Sequence, residues 1–180
     1  MILVTGLSRS GTSLSMQIME ALGCSIVMDQ VTDQYNPDGY FEGPHTLSGI
    51  NSRDYSSTHC AKVMISALGR CSLNDGDKVI LCLRNPSEVA YSQAKDSGKF
   101  GSEQPDRNMN AWFRGMQDFL SWKSRRPVFV VDYAKLLISP EFVINGIAEF
   151  CGIPTNTEIA SLVKTHEATA LYHEVANGRF

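Results

Sequence analysis

Two short stretches of this chain carry residue types suited to binding anions. The first is Gly6-Leu7-Ser8-Arg9-Ser10-Gly11-Thr12-Ser13. It places a guanidinium, several hydroxyls and two glycines between an apolar run, Ile2 to Thr5, and a helix-periodic run. In the latter Leu14, Ile18, Met19 and Leu22 share one face before Gly23 stops the helix. A strand that turns directly into a helix presents first-turn amides with no intrahelical partner, and the helix dipole adds positive charge there. Arg9, Ser10, Thr12 and Ser13 add donors to the same bowl, which reads as a phosphate- or sulfate-binding loop. The second stretch is Arg84-Asn85-Pro86, which follows an apolar run, with Ser92 on the second turn of the helix that Pro86 opens. Arg84 and Ser92 can then hold a second anion near that helix start.

The elements that must position these residues alternate along the chain. A short second strand is expected at Ser25 to Met28, then a polar loop from Asp29 to Tyr40 containing the turn Asn36-Pro37-Asp38-Gly39. A helix is expected from Pro44 to Arg53 and a strand from Ala61 to Ser66, entered by Lys62. Lys78 to Leu83 is continuously apolar after its first residue, the pattern of a parallel strand covered on both faces. Helices follow from Pro86 to Lys95 and from Asn108 to Lys123, with a polar loop, Asp96 to Asp106, between them. Pro127 to Val131 reads as a further strand, and Ser139-Pro140 opens a helix to Cys151. A last helix is expected from Asn156 to Ala170. Strands and helices alternating at this spacing imply one three-layer α/β domain over residues 1–180 with a mostly parallel central sheet. Ligands of such sheets bind at the C-terminal strand ends, where Gly6, Arg84 and Asp132 fall.

Composition narrows the function classes. A net charge of −3 argues against a general nucleic-acid binder, whose affinity rests on phosphate neutralisation. The five cysteines form no CxxC pair and no zinc pattern, which fits small buried thiols in a reducing compartment. Met1 leads straight into the first strand without a secretory leader, and no apolar run approaches the length that spans a bilayer. A cytoplasmic protein that neither spans a membrane nor binds nucleic acid is expected.

The loop departs from a Walker A motif, because Thr12 stands where that motif places lysine and the cation comes earlier, at Arg9. GxxRSGTS resembles instead the 5′-phosphosulfate loop of sulfotransferases that use 3′-phosphoadenosine 5′-phosphosulfate (PAPS). RNPxxxxxS, Arg84 to Ser92, resembles their 3′-phosphate segment. NPDGYFE, Asn36 to Glu42, is similar to the NPxGYxE segment of small sulfotransferase-like proteins, and Val131 to Pro154 resembles the family's C-terminal stretch. The resemblance implies a P-loop NTPase-like fold and transfer of a sulfuryl group from PAPS to a hydroxyl or amine acceptor, leaving PAP, without a metal. It implies Arg9, Ser10, Gly11, Thr12, Ser13, Arg84, Ser92 and Tyr133 as cofactor-binding residues. Arg9 and Lys62 are then the cations at the transferred group, and Glu42 is the expected base. His45 and His59 are alternative bases by residue type. The family's RKGxxG segment is missing, with Arg70 or Arg179 the candidates to replace it, and Leu14 and Met64 stand where cytosolic members often have Trp and His. The acceptor, whether a small molecule or a carbohydrate, is open. Two other readings compete: a P-loop kinase using ATP–Mg²⁺, with Asp132 as a Walker B carboxylate, and a degenerate nucleotide-binding protein.

Overall fold

The structure, a computed structural model, describes residues 1–28, 41–96, 104–122, 126–155 and 157–163. Among the described residues five strands, β1 (Ile2–Gly6), β2 (Ser25–Val27), β3 (His59–Met64), β4 (Lys78–Leu83) and β5 (Val128–Asp132), form one sheet in the order β2-β3-β1-β4-β5. Every pairing is parallel, with Gly6 opposite Met64 on one side and Cys82 on the other. Strand polarity therefore brings the ends of β1, β3 and β4 to one rim of the sheet. The helices are α1 (Thr12–Ala21), α2 (His45–Ser48), α3 (Pro86–Asp96), α4 (Gln104–Trp122), α5 (Tyr133–Ile138) and α6 (Pro140–Cys151).

Both sheet faces are covered, as continuous apolar strands require. Ile2, Val4, Cys60, Ile80 and Cys82 point into a core shared with Leu14 and Ile18 of α1 and with Ile144 and Ile147 of α6. Leu3, Ala61, Val63, Val79 and Leu81 point the other way, against Ile65, Leu68 and Phe119. Full burial of a Leu or Ile side chain contributes about 1.5–3 kcal/mol, so α1 is held on the sheet by its own apolar stripe. Phe119 of α4 is core, with Met116 and Trp122 packed beside it, whereas Phe113 is exposed.

Several boundaries differ from expectation. β3 begins two residues earlier, and Ile65 to Arg70 winds into a 3₁₀ turn. The register explains the shift: His59 pairs with Ser25, so Cys60 and Lys62 face α1 while Ala61 and Val63 face the opposite core. The single helix expected from Pro44 to Arg53 is broken. Gly49, at φ +86°, ends α2, and Asn51 accepts from the Arg53 amide to start a separate 3₁₀ turn at Ser52–Asp54. A short α5 appears where no helix was expected, because Asp132 closes β5 and its carboxylate accepts from the Lys135 amide at 3.2 Å. The Asp29–Tyr40 loop and Arg179 lie outside the described residues, as does most of the last expected helix. Among the described residues no helix is long and apolar enough to cross a membrane.

All five cysteines are free thiols. Burial pushes the Cys82 thiol up to about 12 despite a bond with the Ser15 hydroxyl, so it remains protonated at neutral pH. The start of β1 is tied down by an ion pair of 2.7 Å between the Met1 amine and Asp77. Burial pushes the Asp77 carboxyl up, but bonds from the Met1 ammonium, Ser52 and the Asn74 amide outweigh it and hold it below its ordinary 3.8. A depressed carboxyl adds stability that is fully present above that ordinary value and is lost as the pH falls through the lower folded value. Asp77→Asn is therefore expected to lower stability by about 1–3 kcal/mol at pH 7, with the gap to wild type shrinking toward pH 3. Urea unfolding midpoints of the two proteins across that range test this; a gap independent of pH contradicts it.

Candidate active site

The loop between β1 and α1 is shaped by its backbone. Gly11 sits at φ +93° and Arg9 at φ +71°, so two left-handed residues flank Ser10 and curl the chain into a concavity. Ser10 is buried, and its hydroxyl and amide both bond to the Leu7 carbonyl, the hydroxyl at 2.7 Å. Ser10 thus braces the turn from within. Gly6 is required by close approach, since a Cβ there would lie 2.5 Å from Ser10 Oγ and 2.9 Å from the Cys82 carbonyl. A Cβ at Gly11 would meet the Tyr133 ring at 2.6 Å. The result is a helix whose N-cap is a left-handed glycine, with no side chain capping it. Its first-turn amides face the strand-end rim, the arrangement that binds an anion.

Cations stand on both sides of that helix end. Lys62, on β3, is buried at 3% exposure. Its Nζ lies 2.8 Å from Glu42 Oε1 and 3.3 Å from Ser13 Oγ at the start of α1. A buried ammonium needs such partners. On the other side, Arg84 follows β4 and its Nε donates to Glu88 Oε2 at 2.8 Å. One of its terminal nitrogens donates to the Arg9 carbonyl at 3.4 Å, and the guanidinium stacks on the Tyr133 ring at 4.6 Å. Arg9 itself donates from Nε to Ser92 Oγ at 3.0 Å, and the Gln93 amide donates to the Ser8 carbonyl at 3.0 Å.

Of the residues singled out in the sequence, Arg9, Ser10, Gly11, Thr12, Ser13, Glu42, Lys62, Arg84, Ser92 and Tyr133 all come to this rim. Arg9 is joined directly to Ser92 and Arg84, so the loop cation, Arg84 and Ser92 form one hydrogen-bonded cluster. Tyr133 is buried between the Gly11 turn and Arg84 and works as a spacer for both. His59 lies at the start of β3, five residues before Met64, about 16 Å from the rim along the strand. There its Nδ1 accepts from the Ser56 amide. His45 opens α2, three residues after Glu42, and lines an open cavity of about 410 Å³ with Asp54 and Tyr55. Arg70 donates to the Leu47 carbonyl. Asp132 serves as the α5 cap, its Oδ1 accepting from the Lys135 amide. Glu88, Gln93 and Phe41, whose backbone adopts φ +55°, were not singled out. The i,i+4 spacing of Arg84 and Glu88 is the signal that could have found the first.

Gly11→Ala is expected to lower stability by about 1–3 kcal/mol, because it combines a left-handed φ with a contact on Tyr133. Thermal melts beside Gly23→Ala isolate the ring contact: Gly23 shares the left-handed φ (+88°) but has open space around its Cβ position. Equal losses in the two variants would mean that the ring contact contributes nothing.

No curated protein is a detectable sequence relative of this chain. Solved structures share its fold at low identity. They include the sulfotransferase domain from the curacin biosynthetic pathway (TM-score 0.58, 16% identity, 88% of this chain and 75% of that one). A mouse sulfotransferase complexed with PAP matches at TM-score 0.56 and 14% identity, over 91% of this chain and 63% of its own. Retinol dehydratase in complex with retinol and PAP matches at TM-score 0.54 and 16% identity, over 92% and 63%. The chain thus spans less than two thirds of the length of the last two. The sulfotransferase domain family matches residues 1–171, nearly the whole chain, and it is to this family that the chain belongs.

Proposed function

We propose that this domain transfers a sulfuryl group from PAPS to a hydroxyl or amine of a small-molecule or carbohydrate acceptor. The observation that carries the reading is the uncapped start of α1, set between Lys62 with Ser13 on one side and the Arg84–Arg9–Ser92 cluster on the other. These residues fit the cofactor. The left-handed turn makes a cradle that a Cβ at Gly6 or Gly11 would fill, and the donor set is cationic and hydroxylic, as two anionic groups require.

PAPS supplies the activated sulfuryl group on its 5′-phosphate. The amides of Thr12 and Ser13 and the ammonium of Lys62 stabilise negative charge where it grows on the departing phosphate oxygen. Arg84 and Ser92 hold the 3′-phosphate, and this remote binding fixes orientation at the reacting end. Arg9 links the two ends, since its carbonyl meets Arg84 and its side chain meets Ser92. Glu42, half exposed beside Lys62, takes the acceptor proton. A carboxylate within 2.8 Å of the buried ammonium brings base and leaving-group cation to one point.

Calorimetry with PAP, AMP, ADP and ATP–Mg²⁺ tests the cofactor. PAP is expected to bind tightest, and Arg84→Ala to cost about 10- to 100-fold in PAP affinity while leaving AMP nearly unchanged. Tightest binding of ATP–Mg²⁺ by the wild-type protein would overturn the reading. Lys62→Ala is expected to slow turnover of PAPS by about 100- to 1,000-fold with PAP affinity changed far less. Equal losses in both would make Lys62 a ground-state binding residue instead.

A further inference from the structure

Phe41 is a bulky aromatic residue at φ +55°, a conformation that side chains of this size seldom adopt and that costs about 1–3 kcal/mol. Strain of this kind persists only where the surroundings impose it. Here the surroundings are visible on both sides. The Phe41 ring is 1% exposed and belongs to the core beneath α1, with Val4, Leu14 and Cys60. Two residues on, the Gly43 amide donates to Oγ1 of the buried Thr46 at 2.9 Å. Glu42 lies between these anchors and reaches Lys62 Nζ.

We propose that Phe41 is a positioning residue for Glu42, its core-anchored ring imposing the left-handed backbone that aims the carboxylate at Lys62. Rotation about the Phe41 N–Cα bond carries the ring and the carbonyl that leads into Glu42 together, so a ring seated in the core also fixes the direction in which the chain enters Glu42. With the ring held in the core and the Gly43 amide held by Thr46, the backbone of Glu42 is fixed from both sides. The inference rests on Glu42 being the base.

The test compares Phe41→Gly and Phe41→Leu, each alone and combined with Glu42→Gln. The rate is PAP released from PAPS in glycerol–water, so that transfer to either hydroxyl is counted, and PAP affinity is measured by calorimetry. Phe41→Gly is expected to lower kcat about 10- to 100-fold, with the KM for PAPS and PAP affinity within about threefold of wild type. Phe41→Leu keeps an apolar anchor and a Cβ, and is expected to recover most of that loss. Both effects should disappear in the Glu42→Gln background, where no base remains to be aimed. If Phe41→Gly does not fold, the Phe41→Leu cycle with Glu42→Gln gives the same answer from its smaller loss. Losses that persist in full in a slowed Glu42→Gln enzyme, or that fall in parallel on PAP affinity and kcat, overturn the inference alone. An unchanged rate in Glu42→Gln overturns the base assignment, and this inference with it.

Discussion

The first amides of a helix need hydrogen-bond partners, and in α1 no side chain supplies one. That follows from Gly11, whose left-handed backbone occupies the capping position and offers no oxygen of its own side chain. The usual Ser, Thr or Asp cap would satisfy the amides internally and close the site. The remaining parts of the rim follow from keeping this helix end open. Ser10 turns inward to hold the loop, Gly6 allows it to pass close to β4, and Tyr133 shores up the Gly11 turn from below.

An open helix end surrounded by cations would be costly without an anion, and the molecule limits that cost by pairing each cation locally. Lys62 is the most demanding because it is buried, and it is met by Glu42 and Ser13. Arg84 is only partly buried; its pairing with Glu88, on the first turn of α3, orients the guanidinium more than it stabilises the fold. Stacking on Tyr133 adds a second constraint from another element, so the fork of Arg84 is fixed by α3 and α5 together. Such pre-organisation leaves less ordering to be done when a ligand arrives.

The parallel sheet makes this convergence possible. With β1 between β3 and β4, the strands on either side of the loop end beside it, so that residues far apart in the chain, Lys62 and Arg84, flank the same helix. The two remaining strands serve different ends. β5 delivers Tyr133 through Asp132 and the short α5, and β2 edges the sheet beside β3. The Asp132 carboxylate illustrates the difference between a pattern and a site: an apolar strand ending in Asp resembles a metal-binding carboxylate, but here it begins a helix.

Much of this was legible in the sequence, because its signals are local. The strand–Gly/Ser turn–helix unit, the apolar runs of β1 and β4, and Pro86 at the start of α3 are each set by backbone preferences and side-chain periodicity within a few residues. They are enough to place the loop and Arg84 at strand ends and Ser92 on the helix that follows Arg84. Boundaries that depend on partners were not legible. β3 shifted because its register with β2 and β1 decides which side chains face which core, and the helix after Glu42 broke at Gly49 because of a backbone sign no periodicity reports. The pairings at the site belong to the same class. That Arg9 meets Ser92, that Lys62 meets Glu42, and that Phe41 is held in a left-handed conformation by its ring are consequences of long-range packing. The sequence determined which chemical groups the rim would hold; only the tertiary structure decided which of them touch, because contact depends on sheet order and burial rather than on spacing along the chain.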